Sequence, residues 1–135
     1  MKNKIALWAA LLCNLLGIGF MAFPSAYVLC WASPDPNEIL TSAYSYFNLT
    51  PYGYGNFFPF ITVILAIAGA VFLLIFIVYG KCRKTAMIIT GLGTATAIFS
   101  VMMSYSVTVA GVLIAGMLIL SLALQLFISR RKELL

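Results

Sequence analysis

Histidine is absent from the chain, acidic residues number only three, and charged residues of both signs make up 8% of it. Without histidine the chain lacks the side chain most often used as a general base and as a metal ligand. The three cysteines, Cys13, Cys30 and Cys82, are too scattered to form a thiolate cluster. So few charges cannot coat a soluble globule when 64% of 135 residues are hydrophobic and the mean hydropathy is +1.10. The composition is that of an integral membrane protein with a single domain, residues 1–135, and no room for a soluble enzyme module beside it.

What charge there is sits in short groups. The eight basic residues are Lys2 and Lys4; Lys81, Arg83 and Lys84; and Arg130, Arg131 and Lys132, giving a net charge of +5. Each group abuts an apolar run and none is interleaved with base-stacking aromatics, so the charge is topogenic and nucleic acid is not an expected partner.

The first apolar run, Ile5 to about Trp31, follows the basic start. Pro24 stands where a signal-peptidase site needs a small residue, so the run reads as an uncleaved span, kinked or ended at Pro24. Trp8 and Trp31 lie where interfacial anchors belong. The second span covers about residues 57–80. Lys81 to Lys84 must lie outside the hydrocarbon, because a charge at a helix centre costs roughly 2.5–3.5 kcal/mol. Residues 85–129 carry no charge, yet as one helix they would exceed about 60 Å, twice the membrane thickness. The run therefore divides at Ser104-Tyr105-Ser106 into spans of about 85–103 and 107–129.

Four spans place every Lys and Arg on one side and leave Asp35 and Glu38 on the other. The expected architecture is an all-α four-transmembrane-helix bundle in the cell membrane with both termini cytoplasmic, as the positive-inside rule requires. The outer loop is about residues 32–56. Two prolines in Ser33-Pro34-Asp35-Pro36 exclude helix there. A short helix is expected from about Pro36 to Phe47, with Ile39, Leu40, Ala43, Tyr44 and Phe47 on one face, followed by a β-turn at Thr50-Pro51-Tyr52-Gly53.

Small residues mark helix contacts in lipid. Gly93, Ala97, Ser100 and Ser104 recur at helical spacing in the third span, and Gly111 with Ala115 forms a small pair in the fourth. Intramolecular packing is the plain reading of both; a self-association face or a pore lining is the sharper one. Asn14 is the conspicuous polar residue within a span. It falls at about the depth of Thr94 and Ser121, where an interhelical hydrogen bond worth about 0.6–2 kcal/mol is expected. Gln125 is shallower and can reach the interface. Cys13 and Cys30, about 25 Å apart along one helix, are beyond disulfide reach. No nucleophile, base and oxyanion donor converge, so neither catalysis, cofactor nor metal is expected.

The remaining candidate surface is the aromatic stretch from Ser42 to Phe60, which holds four of the seven tyrosines and no Lys or Arg. Tyr44, Tyr46, Phe47, Tyr52, Tyr54 and Phe57 are its candidate interaction residues, with the bilayer, another membrane protein or a second copy as partner. An ordered lid at the headgroup level is the plain alternative. Over Tyr46 to Phe57, YFNLTPYGYGNF, the chain resembles small four-span membrane proteins of Gram-positive anaerobic bacteria. That group has no assigned activity, so the resemblance implies the four-span layout and no function. The chain lacks the intramembrane carboxylate of small multidrug exporters and the glycine-rich and arginine motifs of four-span fluoride channels. The expected role is non-enzymatic interaction or assembly in the membrane; the alternative is an oligomeric pore or small-solute transporter lined by the third span.

Overall fold

Pro24 stops the first helix well before the apolar run ends. In the computed structural model, which describes residues 2–48 and 57–133, helix α1 covers Lys2–Met21. Its last turn tightens, with Ala22 N–H donating to the Gly19 carbonyl at 3.2 Å and Phe23 N–H to the Phe20 carbonyl at 3.1 Å. Proline has no N–H to continue the ladder, and its ring collides with the carbonyl four residues back. The span expected over residues 5–31 is therefore corrected to one ending at Met21. At 20 residues it is about 30 Å long, enough to cross the hydrocarbon core.

The residues beyond Pro24 form a strand. Tyr27–Trp31 (β1) pairs antiparallel with Leu40–Tyr44 (β2), with Tyr27 opposite Tyr44 and Trp31 opposite Leu40. This overturns the short helix expected from Pro36 to Phe47. Tyr, Val, Trp and Thr favour a pleated surface, and strand pairing satisfies both backbones at once. The link between the strands is held by side-chain bonds to the backbone, from Asp35 N–H to Ser33 Oγ at 3.2 Å and from Asn37 N–H to Asp35 Oδ1 at 3.0 Å. The turn expected at Thr50 to Gly53 lies outside the described residues.

Three further helices follow: α2, Phe58–Tyr79; α3, Arg83–Met103; and α4, Val109–Glu133. Gly80 ends α2 in the left-handed region at φ 71°, a conformation glycine adopts without a Cβ penalty. Ser104 turns extended and ends α3. All four helices are long and apolar enough to cross a membrane. They pack as a ring, α1 most extensively on α4 and α2 on α3, with α3 against α4 and α1 against α2 closing it. Successive helices run in opposite directions, so the three basic groups share one end. The hairpin and the α3–α4 turn share the other.

That turn holds the hairpin down. Val28 N–H donates to Ser104 Oγ at 3.0 Å, and Tyr105 N–H returns a bond to the Val28 carbonyl at 2.9 Å. Thr108 Oγ1 donates to the Ala26 carbonyl at 2.5 Å while accepting from Gly111 N–H at 3.0 Å, so one hydroxyl caps α4 and fastens the chain entering β1. Glycine is required at 111, because a Cβ there would lie 2.9 Å from Thr108 Oγ1 and 3.2 Å from the Ala26 carbonyl oxygen.

The interior divides into two apolar clusters. One, at the hairpin end, joins Met21, Tyr27, Leu29 and Tyr46 to Val63, Ala66, Ala97, Ile114 and Leu118. The other, toward the basic end, contains Leu7, Leu11, Leu73, Phe76, Ala86 and Ile128. The outside is equally apolar: Ile64, Val71, Ile88, Phe99, Val112, Ile119 and Phe127 are all exposed. Only 33% of the most apolar stretch of each helix is buried, and an outward face of that kind is stable only in apolar surroundings.

Candidate functional site

The aromatic stretch splits between inside and outside. Tyr46 follows β2, and its N–H donates to the Met21 carbonyl at 3.1 Å. This turns its ring inward against Tyr27, edge-on with centroids 5.9 Å apart. Both rings are buried, at 0% and 1% exposure, and plug the space between α2, α3 and α4. Tyr44 is half-buried and stacks on Tyr27 at 5.7 Å. Burial, with Tyr44 and Tyr46 beside it, pushes the Tyr27 hydroxyl up to about 12. Burial also raises Tyr46, partly offset by the Ser100 hydroxyl. Both phenols therefore stay protonated and neutral at physiological pH. Phe47 and Phe57 face outward, as do Ile39 and Leu40 at the same end. Tyr52 and Tyr54 lie outside the described residues.

The face of α3 singled out in the sequence is turned into its own bundle. A Cβ on Gly93 would lie 3.4 Å from Leu65 Cβ, Ala97 and Ser100 are fully buried, and Ser104 is engaged with Val28. On α4, Gly111 is buried under Thr108 and Ala26, and Ala115 is half-buried against the hairpin-end cluster. Intramolecular packing therefore accounts for the small-residue pattern.

Polar side chains from α1, α3 and α4 gather at mid-bundle, with a glycine of α2 beside them. Thr90 on α3 is their hub: its hydroxyl donates to the Ala86 carbonyl at 2.8 Å and accepts from Gln125 Nε2 of α4 at 3.1 Å. Gln125 Nε2 also lies 3.4 Å from Ser121 Oγ, which donates to the Ala10 carbonyl of α1 at 2.8 Å. Thr94 donates within its own helix to the Thr90 carbonyl at 2.8 Å. Gly69 on α2 admits α1 and α3 closely, since a Cβ there would stand 3.2 Å from Thr90 Oγ1 and 3.4 Å from Asn14 Nδ2.

Two expectations fail here. Gln125 is not interfacial: it is 4% exposed, because the rotation of α4 carries it toward Thr90. Asn14 is fully buried, but neither of its amide atoms has a hydrogen-bond partner among the described residues, and Gln125 Oε1 has none either. Ser121 and Thr94, at Asn14's depth, are committed to backbone carbonyls instead. A buried polar group without a partner costs about 1–3 kcal/mol.

Sequence reasoning missed Tyr27, Thr90, Gly69 and the burial of Gln125. The one signal within reach was Tyr27 to Trp31, a run of strand-favouring residues just after a proline. Chemically, the mid-bundle side chains Asn14, Thr90, Thr94, Ser121 and Gln125 are neutral amides and hydroxyls, an arrangement suited to hydrogen bonding. No protein-family model, curated protein or solved structure matches the chain.

Proposed function

We propose that the chain is a multi-pass membrane protein with both termini cytoplasmic, acting by non-covalent interaction within the membrane and not by catalysis. The sidedness is supported by the three basic groups at one end of the bundle and by Asp35 and Glu38 at the other. The observation that carries the interaction reading is the division of the hairpin end. Tyr27 and Tyr46 are spent on the bundle interior, while Ile39, Phe47 and Phe57 are exposed to 66%, 44% and 61%. A lid that only closed the bundle would need the inward set alone. The outward set forms an apolar surface suited to another membrane protein or a second copy.

Photocrosslinking distinguishes contact with protein from contact with lipid. A photoreactive phenylalanine in place of Phe47 or Phe57 is expected to yield a discrete protein adduct, whereas one at lipid-facing Ile119 yields lipid adducts alone. Adducts only with lipid at all three positions contradict the proposal, and the adduct mass separates a second copy from a different partner.

The alternative is a pore or small-solute transporter lined by α3, favoured by the row of Thr90, Thr94 and Ser100 inside the bundle. Solute flux into liposomes that a bulky substitution at Ala97 abolishes supports it; sealed liposomes at high protein density oppose it.

A further inference from the structure

We infer that mid-bundle is a hydration site, at which one bound water completes the hydrogen bonding of Asn14 and Gln125 and links α1 to α4. The inference stands apart from the hairpin surface and survives its failure.

Three buried polar atoms define the ligand. Asn14 Nδ2 is a donor, Asn14 Oδ1 and Gln125 Oε1 are acceptors, and none has a partner among the described residues. Gln125 reaches Thr90, and Asn14 lies near the same glycine. Gln125 Nε2 is 3.1 Å from Thr90 Oγ1, while Asn14 Nδ2 and Thr90 Oγ1 both lie within 3.4 Å of the point where a Gly69 side chain would begin. Thr90 cannot serve Asn14 as a donor, because its one hydroxyl hydrogen is committed to the Ala86 carbonyl at 2.8 Å. Glycine at 69 is what lets Asn14 and Thr90 both come this close to α2.

The pattern of donors and acceptors selects among ligands. A bare cation satisfies the two carbonyl oxygens and leaves the Nδ2 donor facing positive charge. An anion satisfies Nδ2 and faces two carbonyls. A neutral molecule that accepts once and donates twice satisfies all three atoms, and water is the smallest with that capacity. At about 18 Å from the start of α1, Asn14 is deep in the span, where bulk water offers no substitute.

The interior does not continue as a wet file toward the hairpin. Beyond Thr94 on α3 comes Ala97, fully buried in one apolar cluster with Ile114 and Leu118, before Ser100 and the Tyr46 ring. This apolar packing separates the site from the hairpin end of the bundle.

The test uses the full-length protein in detergent micelles, with magnetization transfer from water to the asparagine side-chain amides read by nuclear magnetic resonance. The Asn14 amide signal, identified by its disappearance in Asn14→Leu, is expected to show transfer with the sign of a long-lived bound water. In Gly69→Ala the added methyl takes the space beside Thr90 and Asn14, and the transfer is expected to be lost. Asn14→Leu is expected to melt below the wild type, because it leaves the water and Gln125 short of a partner. A wild-type Asn14 amide without transfer overturns the assignment, and so does an Asn14→Leu variant that melts above the wild type, the behaviour of a dry site relieved of an unpaired amide.

Discussion

Replacing Tyr46 with alanine is expected to loosen the packing of the hairpin on the bundle and to cost about 3–5 kcal/mol, the usual range for truncating a buried aromatic ring. Its ring is fully buried and touches both sides of the seam, meeting Tyr27 of β1 edge-on at 5.9 Å within a cluster drawn from α2, α3 and α4. Removing it opens a cavity that the helices cannot collapse into, because Ser104 and Thr108 still tie β1 to the α3–α4 turn. Tyr46→Phe is a sharp contrast. The hydroxyl has no hydrogen bond of good geometry among the described residues, so its removal is expected to leave stability unchanged or to raise it, by up to about 1–3 kcal/mol. Thermal unfolding in detergent measures both, and limited proteolysis between residues 32 and 39 reports loosening of the hairpin. An alanine variant that melts and resists protease like the wild type would show that the ring does not hold the hairpin.

The second large effect separates a lipid-facing surface from a merely exposed one. Leu120, at the middle of α4, and Val107, in the α3–α4 turn, are 48% and 71% exposed. In water, arginine at either position would be tolerated. In a membrane, Leu120→Arg places a charge near mid-span and is expected to cost about 2.5–3.5 kcal/mol of insertion free energy, while Val107→Arg, at the end of the bundle, is expected to cost little. The fraction of each variant recovered in the membrane gives the comparison. Equal recovery of the two would mean that the exterior of α4 does not face hydrocarbon.

The four apolar helices were legible because they follow from length and charge. An uncharged run of 45 residues cannot cross a bilayer once, and Lys81 to Lys84 cannot sit inside it. The hairpin was not legible. Tyr27 to Trp31 is as apolar as the helix before it, and five such residues carry no periodicity that separates strand from helix. Its partner, Leu40 to Tyr44, alternates too weakly to announce itself, and its pairing with Tyr27 to Trp31 across a connection of eight residues is a tertiary fact. Asn14 was found by residue type alone. That its amide lacks a protein partner depends on how α1 is rotated, which depth counting cannot supply. Gln125 was misplaced for the same reason, since distance from Arg130 gives depth and says nothing about facing. Gly69 left no trace, because its value lies in what approaches it from α1 and α3.

The proposed arrangement puts the hairpin and the basic end on opposite sides of a membrane, and thiol labelling tests this directly. Cys82 is exposed in the basic turn, and Asn37→Cys supplies a second exposed thiol at the tip of the hairpin. Each is examined alone, with the other cysteines changed to serine. With a membrane-impermeant maleimide, the Asn37→Cys thiol is expected to react in intact cells and Cys82 only after the membrane is opened. Reaction of Cys82 in intact cells, or equal reaction of the two thiols, would contradict the four-span arrangement with both termini cytoplasmic.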